Sequence, residues 1–365
     1  MDQNTNATTN DYMLTDQIDD TISQIKFIPS KNNMYLASCG WDSKIRVWNV
    51  QYSPAPNQTS SNYTTIQTSL MYTTGFNDPL LSLAWQGEVP NIFTGCGDGT
   101  INFVNLQENK TMQIGKHELG CKELIWSQNL NVLISGGWDG KLFFWDLRQQ
   151  GPAMNFDFGK KIFTMSMTYP LFVVGLSDRI VSYFNMTKLG GVNFCPEATF
   201  ESHLKHQTRK ITTFPEGDGY AIGSIEGRVA VKYVDLNKPP EIHPETKTMS
   251  HKDDFAFRCH RTGENLSEVY AINDIAFNPV YGTFCTSGGD GAWIIWDKDS
   301  RSRLKNGFHQ NRSPITALDY SGNGDLLAYA SGYDWAKGVA FEGTFQPKLS
   351  IHYCPDSDKK KKPKK

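Results

Sequence analysis

Along most of the chain, apolar and polar residues alternate, and no apolar spacing of helical period is sustained. Short alternating runs such as residues 22–27 and 81–85 predict half-buried strands. Each run is followed by small residues and an acidic turn residue, and in nearly every case by a second alternating run. This order predicts a β-hairpin, in which a tight turn joins two strands. The pattern therefore predicts an all-β protein and excludes an α/β enzyme fold and most helical solenoids.

This hairpin unit recurs seven times along the chain. Most intervals between its acidic turn residues are close to the roughly 40 to 45 residues of a propeller blade. Two longer intervals contain insertions at 51–70 and 236–268, which we expect to be surface loops. Seven such units predict one seven-bladed β-propeller over residues 11–355. The acidic turn residues are Asp42, Asp98, Asp139, Asp178, Glu226, Asp290 and Asp334.

Three repeats share a polar register that is typical of a WD blade. A hydroxyl residue lies four positions before the acidic residue, and a tryptophan lies six positions after it. Histidines precede the first strand of two repeats, and each could close a His, hydroxyl, Asp and Trp hydrogen-bond network. Repeats four and five lack the register, so we expect them to depend on apolar packing. The residues are Ser38, Asp42 and Trp48; Ser135, Asp139 and Trp145; Thr286, Asp290 and Trp296; and the histidines His117 and His309.

The two ends of the chain predict how the ring closes. Residues 349–353 fit the third strand of the seventh blade, which leaves its fourth strand missing. We predict that residues 11–17 supply this strand and so remove an exposed sheet edge. Residues 1–10 are expected to be a disordered N-terminus. Residues 356–365, which end in a lysine-rich run, are expected to be a basic disordered tail.

Composition narrows the class of protein. There are 36 Lys and Arg residues against 38 Asp and Glu residues, a net charge of -2, so any nucleic-acid contact must be local. The seven cysteines never form a CxxC pair, which argues against a disulfide framework and a structural zinc site. The N-terminus lacks the features of a signal peptide, and no apolar run is long enough to span a bilayer. We expect a soluble protein of a reducing, intracellular compartment.

Three motifs that could carry chemistry have simpler interpretations. His203 and His206 have no further ligands at a usual metal spacing. Cys259 and His260 are neighbours, and on a strand their side chains would point to opposite faces. The glycines of residues 95–99 lack the strand-loop-helix context of a phosphate loop. We therefore predict no catalytic residue, no metal site and no cofactor, and a protein that works by binding partners.

Several segments of the second half resemble the messenger-RNA export factor family of the nuclear pore. Members of that family bind the GLEBS segment of a GLFG-repeat nucleoporin. A sister family, the mitotic-checkpoint WD-repeat protein, shares SIEGRVA and the FxFxCHR-like element, whereas LKHQTR, WDKD and YDWxKG favour the export factor. The segments are LKHQTR (204–209), GSIEGRVA (223–230), FAFRCHR (255–261), VYAIN (269–273), WDKD (296–299) and YASGYDW (329–335).

The resemblance also implies a partner-binding surface on one sector of the ring, formed by Arg228, Phe257, Trp296, Asp297, Lys298 and Arg301. Arginine and aromatic side chains are enriched at the energetic centres of interfaces. Trp296 equally fits the structural tryptophan of blade six, Phe257 a core residue, and Lys298 and Arg301 solvated charges. Arg228 lies next to apolar residues, so we expect it to face a carboxylate of this chain or of a partner.

Three functional hypotheses follow from these observations. The first is a non-enzymatic adaptor in messenger-RNA export that binds the GLEBS segment of a GLFG-repeat nucleoporin in the nucleus, at the nuclear envelope and pore, and also in the cytoplasm. The second is a mitotic-checkpoint adaptor that binds kinase-associated GLEBS-like motifs. The third is direct RNA binding through the basic run 359–365, which also fits a nuclear localisation signal, and the basic residues at 301–305.

Overall fold

The computed structural model describes residues 11–53, 65–191, 194–309 and 311–362. The expected disordered N-terminus, residues 54–64 of the first insertion and the last three lysine-rich positions lie outside these ranges. The described chain forms seven four-stranded antiparallel sheets. The first strands of neighbouring sheets contact one another around a closed ring. The predicted seven-bladed WD-repeat β-propeller is confirmed.

The strands are numbered in chain order, and those of each blade are given from the axis outward. The chain begins with β1 (Tyr12–Met13), which belongs to blade seven. Blade one contains β2 (Ile22–Phe27), β3 (Tyr35–Gly40), β4 (Lys44–Ser53) and β5 (Thr65–Gly75). Blade two contains β6 (Leu80–Gln86), β7 (Val89–Cys96), β8 (Thr100–Asn105) and β9 (Lys110–Lys116). Blade three contains β10 (Cys121–Ser127), β11 (Val132–Gly137), β12 (Lys141–Trp145) and β13 (Met154–Asp157).

Blade four contains β14 (Ile162–Thr168), β15 (Leu171–Leu176), β16 (Ile180–Asn185) and β17 (Ala198–Glu201). Blade five contains β18 (Thr208–Thr213), β19 (Gly219–Ser224), β20 (Arg228–Tyr233) and β21 (Phe255–Arg258). The short pair β22 (Arg261–Thr262) and β23 (Glu268–Val269) follows. Blade six contains β24 (Ile272–Phe277), β25 (Phe284–Gly288), β26 (Ala292–Asp297) and β27 (Ser302–Phe308). Blade seven contains β28 (Ile315–Tyr320), β29 (Leu326–Ser331), β30 (Lys348–Tyr353) and β1.

Helical structure is confined to single turns. Short 3-10 turns lie at Ser177–Arg179, Met186–Lys188, Glu264–Leu266 and Val339–Phe341, and α1 (Asp356–Lys359) follows the last strand. In the described chain, none of these helices is long and apolar enough to cross a membrane.

Two faces of the ring are distinguished by the connections that they carry. The upper face carries the turn between the second and third strands of each blade and the connection from each outermost strand to the next blade. The lower face carries the other two kinds of turn. Because the strands of a blade are antiparallel, both kinds of upper connection lie at the same end of the ring.

The N-terminal segment pairs with the last strand and closes blade seven. Tyr12 lies opposite Ile351, and the backbone N–H of Leu14 donates to the carbonyl of Leu349 at 2.9 Å. The ladder is short, but Leu14 and Ile18 continue into the same buried cluster as Leu349 and Ile351. Apolar burial therefore adds to the few backbone hydrogen bonds that join the two ends.

The WD network forms as predicted in blade three. The hydroxyl of Ser135 lies 2.8 Å from Nε2 of His117 and accepts a hydrogen bond from Nε1 of Trp145 at 2.8 Å. Nδ1 of His117 lies 3.0 Å from Oδ1 of Asp139. All four side chains are buried, so each hydrogen bond satisfies a group that water cannot reach.

In blade six the network forms with a different histidine. Thr286 accepts from Nε1 of Trp296 at 3.0 Å, but the imidazole beside it belongs to His260, whose Nδ1 lies 2.8 Å from Asp290. His260 precedes β24, the first strand of this blade, whereas His309 precedes β28 of blade seven. Nδ1 of His309 is buried without a hydrogen-bond partner among the described residues. The assignment of a network to His309 was wrong.

Blade one keeps the residues of the register but not its hydrogen bonds. Nε1 of Trp48 donates to Asp16 at 2.7 Å instead of to Ser38, and Asp42 pairs with Arg46 at 2.6 Å. The N-terminal segment brings Asp16 to the indole, so the tertiary structure overrides the local pattern. The predicted register of Ser38, Asp42 and Trp48 is therefore present in this blade, but the indole of Trp48 bonds to the N-terminal segment.

Blades four and five rely on rings and aliphatic side chains, as expected from their missing register. In blade four, the ring centroids of Phe172 and Phe184 lie 5.6 Å apart, and Phe194 stacks on Phe184 at 5.3 Å. The insertion 236–268 is more than a surface loop, because it contains β21. Its Met249 is buried, and Nζ of Lys232 donates to the carbonyl of Met249 at 2.7 Å.

The C-terminal segment 356–362 is packed rather than disordered, so this expectation was wrong. Asp358 and Lys359 are only 4% and 5% exposed. Nζ of Lys359 lies 2.5 Å from Asp325, and the hydroxyl of Thr283 donates to the carbonyl of Lys359 at 2.9 Å. Repulsion among the lysines is offset by carboxylates that blades six and seven present.

Candidate functional site

The six residues that the resemblance implied do not form one surface. Arg228 opens β20 and lies opposite Arg258, whereas Phe255 lies opposite Val231 three residues further along. The guanidinium of Arg301 covers the ring of Phe255 at 4.7 Å. Three residues of a strand span about 10 Å. Arg228 is thus at the upper end of blade five, and Arg301 is at its lower end.

The turn between β26 and β27 uses two of the six residues internally. Asp297 is 1% exposed and accepts hydrogen bonds from the hydroxyl of Ser300 at 2.7 Å and from the backbone N–H of Lys362 at 3.0 Å. Lys298 is 5% exposed, and its Nζ lies 2.9 Å from Asp299. These two side chains stabilise the turn and leave little area for a partner.

Phe257 and Trp296 pack blade five against blade six. Their ring centroids lie 4.6 Å apart, and both side chains are half-buried. Arg301 is the exposed member of the lower group, and it donates to the carbonyl of Asp253 at 3.4 Å. The lower group therefore combines a structural core with one exposed cation.

Arg228 faces a carboxylate of its own chain, as we expected from its apolar neighbours in the sequence. Its Nε lies 3.4 Å from Glu226 but makes no hydrogen bond within the described structure. The same carboxylate lies 3.4 Å from His206 and 3.7 Å from Arg261. Because one carboxylate faces two guanidinium groups, the upper rim of blade five carries excess positive charge.

Large apolar side chains are exposed mainly on the upper face. Eight of those in the described chain lie at its turns and connections, against five at the turns of the lower face. Exposed apolar groups concentrated on one side of a soluble protein mark an interaction surface. We call the upper group the apolar rim: Trp41, Leu119, Ile225, Leu266, Val269, Trp335, Val339 and Phe341. The lower five are Val89, Leu147, Tyr169, Ile242 and Val280.

A central cavity of about 770 Å³ lies on the ring axis beneath the apolar rim. In all seven blades, the ladder between the two innermost strands shifts register at the same place, so one residue bulges from each first strand. Bulges re-aim a side chain that regular pairing would hold in the sheet. All seven bulged residues line the cavity, and we call them the crown: Ser23, Leu81, Lys122, Phe163, Arg209, Asn273 and Thr316.

An ionic network forms the wall below the crown. Nζ of Lys210 lies 3.3 Å from Glu123 and 3.6 Å from Asp274, and Nε2 of Gln24 donates to Glu123 at 3.4 Å. Burial lowers the pKa of Lys210, but the two carboxylates outweigh burial and raise it above its ordinary value. These contacts join blades one, three, five and six across the axis.

Comparisons with known proteins agree with this geometry. The WD domain, G-beta repeat model matches residues 13–49 and 109–146. The Poly(A)+ RNA export protein of Schizosaccharomyces pombe is 34% identical over 355 residues, which are 95% of this chain and 91% of that protein. The mRNA export factor rae-1 of Caenorhabditis elegans is 34% identical over 99% of this chain and 93% of its own length. This chain belongs to the messenger-RNA export factor family.

Membership of the export factor family supports a role in messenger-RNA export and a non-catalytic scaffold. In the crystal structure of a mitotic checkpoint complex, a chain 13% identical in sequence has the same fold, with a TM-score of 0.67 over 95% of this chain and 94% of that one. At that identity the likeness concerns the fold alone. The described residues hold no cluster of three His, Cys, Asp or Glu side chains that could bind a metal ion.

Sequence reasoning about this export factor missed the apolar rim and the crown. Trp41 and Trp335 each adjoin an acidic turn residue, where a soluble protein usually exposes a polar side chain, and this signal could have been used. The crown had no such signal, because its residue types vary from blade to blade. Only the register shifts of the assembled sheets identify its members.

Proposed function

We propose that this export factor is a nuclear-pore adaptor that binds the GLEBS segment of a GLFG-repeat nucleoporin across its upper face. The apolar rim is the observation that carries the proposal. An extended segment that crosses the rim would bury these side chains and gain about 25 cal/mol for each Å² of apolar surface removed from water. The names of the relatives support a role in messenger-RNA export, and the apolar rim is the surface on which we propose that the segment docks.

Arg228 adds specificity to this surface. Its Nε lacks a hydrogen-bond acceptor among the described residues, and Glu226 is shared with Arg261. A carbonyl or carboxylate of the docked segment would complete its hydrogen bonding, and charge-assisted bonds of this kind are stronger than neutral ones. Of the six residues that the resemblance implied, Arg228 is the one that we keep in the docking surface. We place the action of this adaptor in the nucleus, at the nuclear envelope and pore.

The test compares matched charge substitutions on the two faces. Titration calorimetry of the full chain with a GLEBS peptide should show binding that Ile225→Glu and Leu266→Glu each weaken at least tenfold, because each buries a carboxylate against apolar surface. Leu147→Glu on the lower face is the control, since Leu147 is similarly exposed at 40%, against 41% for Ile225. Equal losses from Ile225→Glu and Leu147→Glu would overturn the upper-face assignment.

A second peptide arm separates the adaptor hypotheses. The wild-type chain should prefer the GLEBS peptide of the nucleoporin to a GLEBS-like peptide of a checkpoint kinase partner. The opposite preference would favour the checkpoint adaptor. Arg228→Glu should weaken binding of the nucleoporin peptide, whereas Arg301→Glu at the lower end of the blade should leave it unchanged.

The structure weakens the hypothesis that the basic run 359–362 binds RNA. Nζ of Lys361 lies 2.6 Å from Asp299, Nζ of Lys360 lies 2.6 Å from Asp356, and Nζ of Lys362 donates to a backbone carbonyl. These lysines already have acceptors, so phosphate contacts would have to displace them. Unchanged affinity for single-stranded RNA after removal of residues 359–365 would exclude the run as a contact.

A further inference from the structure

The crown divides into two halves with different roles. On one side its polar side chains join neighbouring blades: the hydroxyl of Thr316 donates to the carbonyl of Ile22 at 2.9 Å, and the amide of Asn273 donates to the carbonyl of Ile315 at 3.1 Å. The hydroxyl of Ser23 donates in the same way to the carbonyl of Leu80. On this side the bulges therefore serve the ring itself.

On the other side, blades three to five place Lys122, Phe163 and Arg209 on consecutive positions of the crown. Within the part of the chain that the structure describes, neither cation makes a side-chain hydrogen bond. The nearest carboxylate to Lys122 is that of Glu123, at 3.9 Å. Glu123 is closer to Lys210, at 3.3 Å, so it pairs mainly with Lys210 in the ionic network below the crown. Among the described residues of this half of the crown, Arg209 forms no ion pair and Lys122 forms only a long one.

Two further groups point to a missing ligand on the same side. Lys161 lines the cavity beside Phe163 and forms no ion pair with any described residue. Thr208 also lines the cavity and is 1% exposed, yet its hydroxyl has no hydrogen-bond partner in the described structure. A buried hydroxyl without a partner is costly and uncommon. Burial lowers the pKa of Lys122; the charge of Glu123 opposes this shift, and the nearby charges of Lys210 and Arg209 add to it.

The cavity has the size and chemistry of a small-molecule site. Its volume of about 770 Å³ falls within the range of known ligand pockets, roughly 300 to 1,000 Å³. Phe163 and Trp138 provide aromatic faces on the same wall as the cations. We propose that the central cavity binds a nucleoside triphosphate, with its phosphates between Lys122, Lys161 and Arg209 and its base against the aromatic wall.

Trp41 and Trp335 of the apolar rim also line the cavity, but the proposed ligand contacts are those of Lys122, Lys161, Phe163 and Arg209 inside the ring. Calorimetric titration of the full chain with ATP, without any peptide, should show one site. Inorganic triphosphate should bind to the same site more weakly, and adenosine should show no binding at the same concentrations. Because no peptide is present, failure of the docking proposal would leave this result unaffected.

Single substitutions test the assignment of each group. Lys122→Met and Arg209→Met should each weaken ATP binding at least tenfold, because each removes charge-assisted hydrogen bonds to phosphate. Arg148→Met on the lower face is the matched control, since it removes a cation from a side chain that is 79% exposed. Phe163→Ala should weaken ATP binding but not triphosphate binding.

Thermal melting of each variant in the absence of ligand establishes that it is folded. For a variant that melts early, protection of the wild-type chain by ATP, and its absence with adenosine, remains a measurement of the site. ATP binding that is undetectable at millimolar concentration would overturn the proposal. A loss of ATP affinity in Arg148→Met equal to that in Arg209→Met would also overturn it. Equal effects of Phe163→Ala on both ligands would overturn the contact with the base.

Discussion

His352 joins both ends of the chain. Its Nδ1 lies 2.7 Å from Asp11 of the N-terminal segment, and its Nε2 lies 3.4 Å from Asp358 of α1. The imidazole is 4% exposed. Burial alone would lower the pKa of His352, but the hydrogen bond to Asp11 and the charges of Asp11 and Asp358 outweigh burial and raise it to about 9. A protonated histidine between two carboxylates therefore holds the closure of blade seven.

Replacement of this histidine should remove a pH-dependent part of the stability. The pKa rises from 6.5 in the unfolded chain to about 9 in the folded chain, which corresponds to about 3 kcal/mol of stabilisation. Because the folded pKa is the higher one, this stabilisation is complete below pH 6.5 and is lost as the pH rises through 9. His352→Gln should lower stability strongly at pH 6 and much less at pH 9.5.

Urea unfolding at pH 6, 7.5 and 9.5 measures this difference directly. The gap in unfolding free energy between wild type and His352→Gln should shrink by about 3 kcal/mol from pH 6 to pH 9.5. His206→Gln is the control, because His206 is 52% exposed at the upper rim. A gap that stays constant with pH would refute the idea that His352 is protonated in the folded chain.

Three other substitutions or deletions probe the ring. Deletion of residues 1–18 should lower the melting temperature by several degrees, since it removes β1 and reopens a sheet edge; an unchanged melting temperature rules out this closure. Lys210→Met leaves two buried carboxylates unpaired and should cost about 3–5 kcal/mol in urea unfolding, so a loss below 1 kcal/mol contradicts the ionic network. Ser135→Ala breaks two buried hydrogen bonds and should cost about 1–3 kcal/mol, whereas Ser331→Ala should cost less, because the hydroxyl of Ser331 has no hydrogen-bond partner among the described residues. Equal losses of unfolding free energy in these two variants would show that the hydrogen-bond network of blade three does not contribute to stability.

Local spacing was enough to predict the blades and one complete network. In blade three, Ser135, Asp139 and Trp145 lie in a single hairpin, and His117 lies at a short, regular distance before it. Hydrogen bonds inside a hairpin follow from register alone, because strand pairing brings fixed positions together. Blade one has the same spacing, but the indole of Trp48 donates its hydrogen bond to Asp16, which lies outside the hairpin. The spacing of residues within a hairpin does not reveal a hydrogen-bond acceptor that comes from another segment.

The candidate site was only partly predictable for the same reason. The resemblance selected Arg228 and the turn at 297–301, but Lys298 is buried and Arg301 lies at the other end of the blade. Burial of a charged residue depends on what packs over it, and the segment 356–362 packs near this turn. The lysine-rich composition of that segment suggested disorder, whereas the carboxylates that bind it come from blades six and seven.

By itself, the sequence determined the seven repeats and their hairpins, because these depend on alternation and spacing within about 45 residues. The family was indicated by the resemblance of particular segments to known export factors. Only the tertiary structure decided which side chains meet on the axis. Lys122, Phe163 and Arg209 come from three separate repeats, and each lies at a bulge that a single strand does not reveal. Closing the ring brings these bulges together, so the cavity and the cations that line it exist only in the assembled propeller.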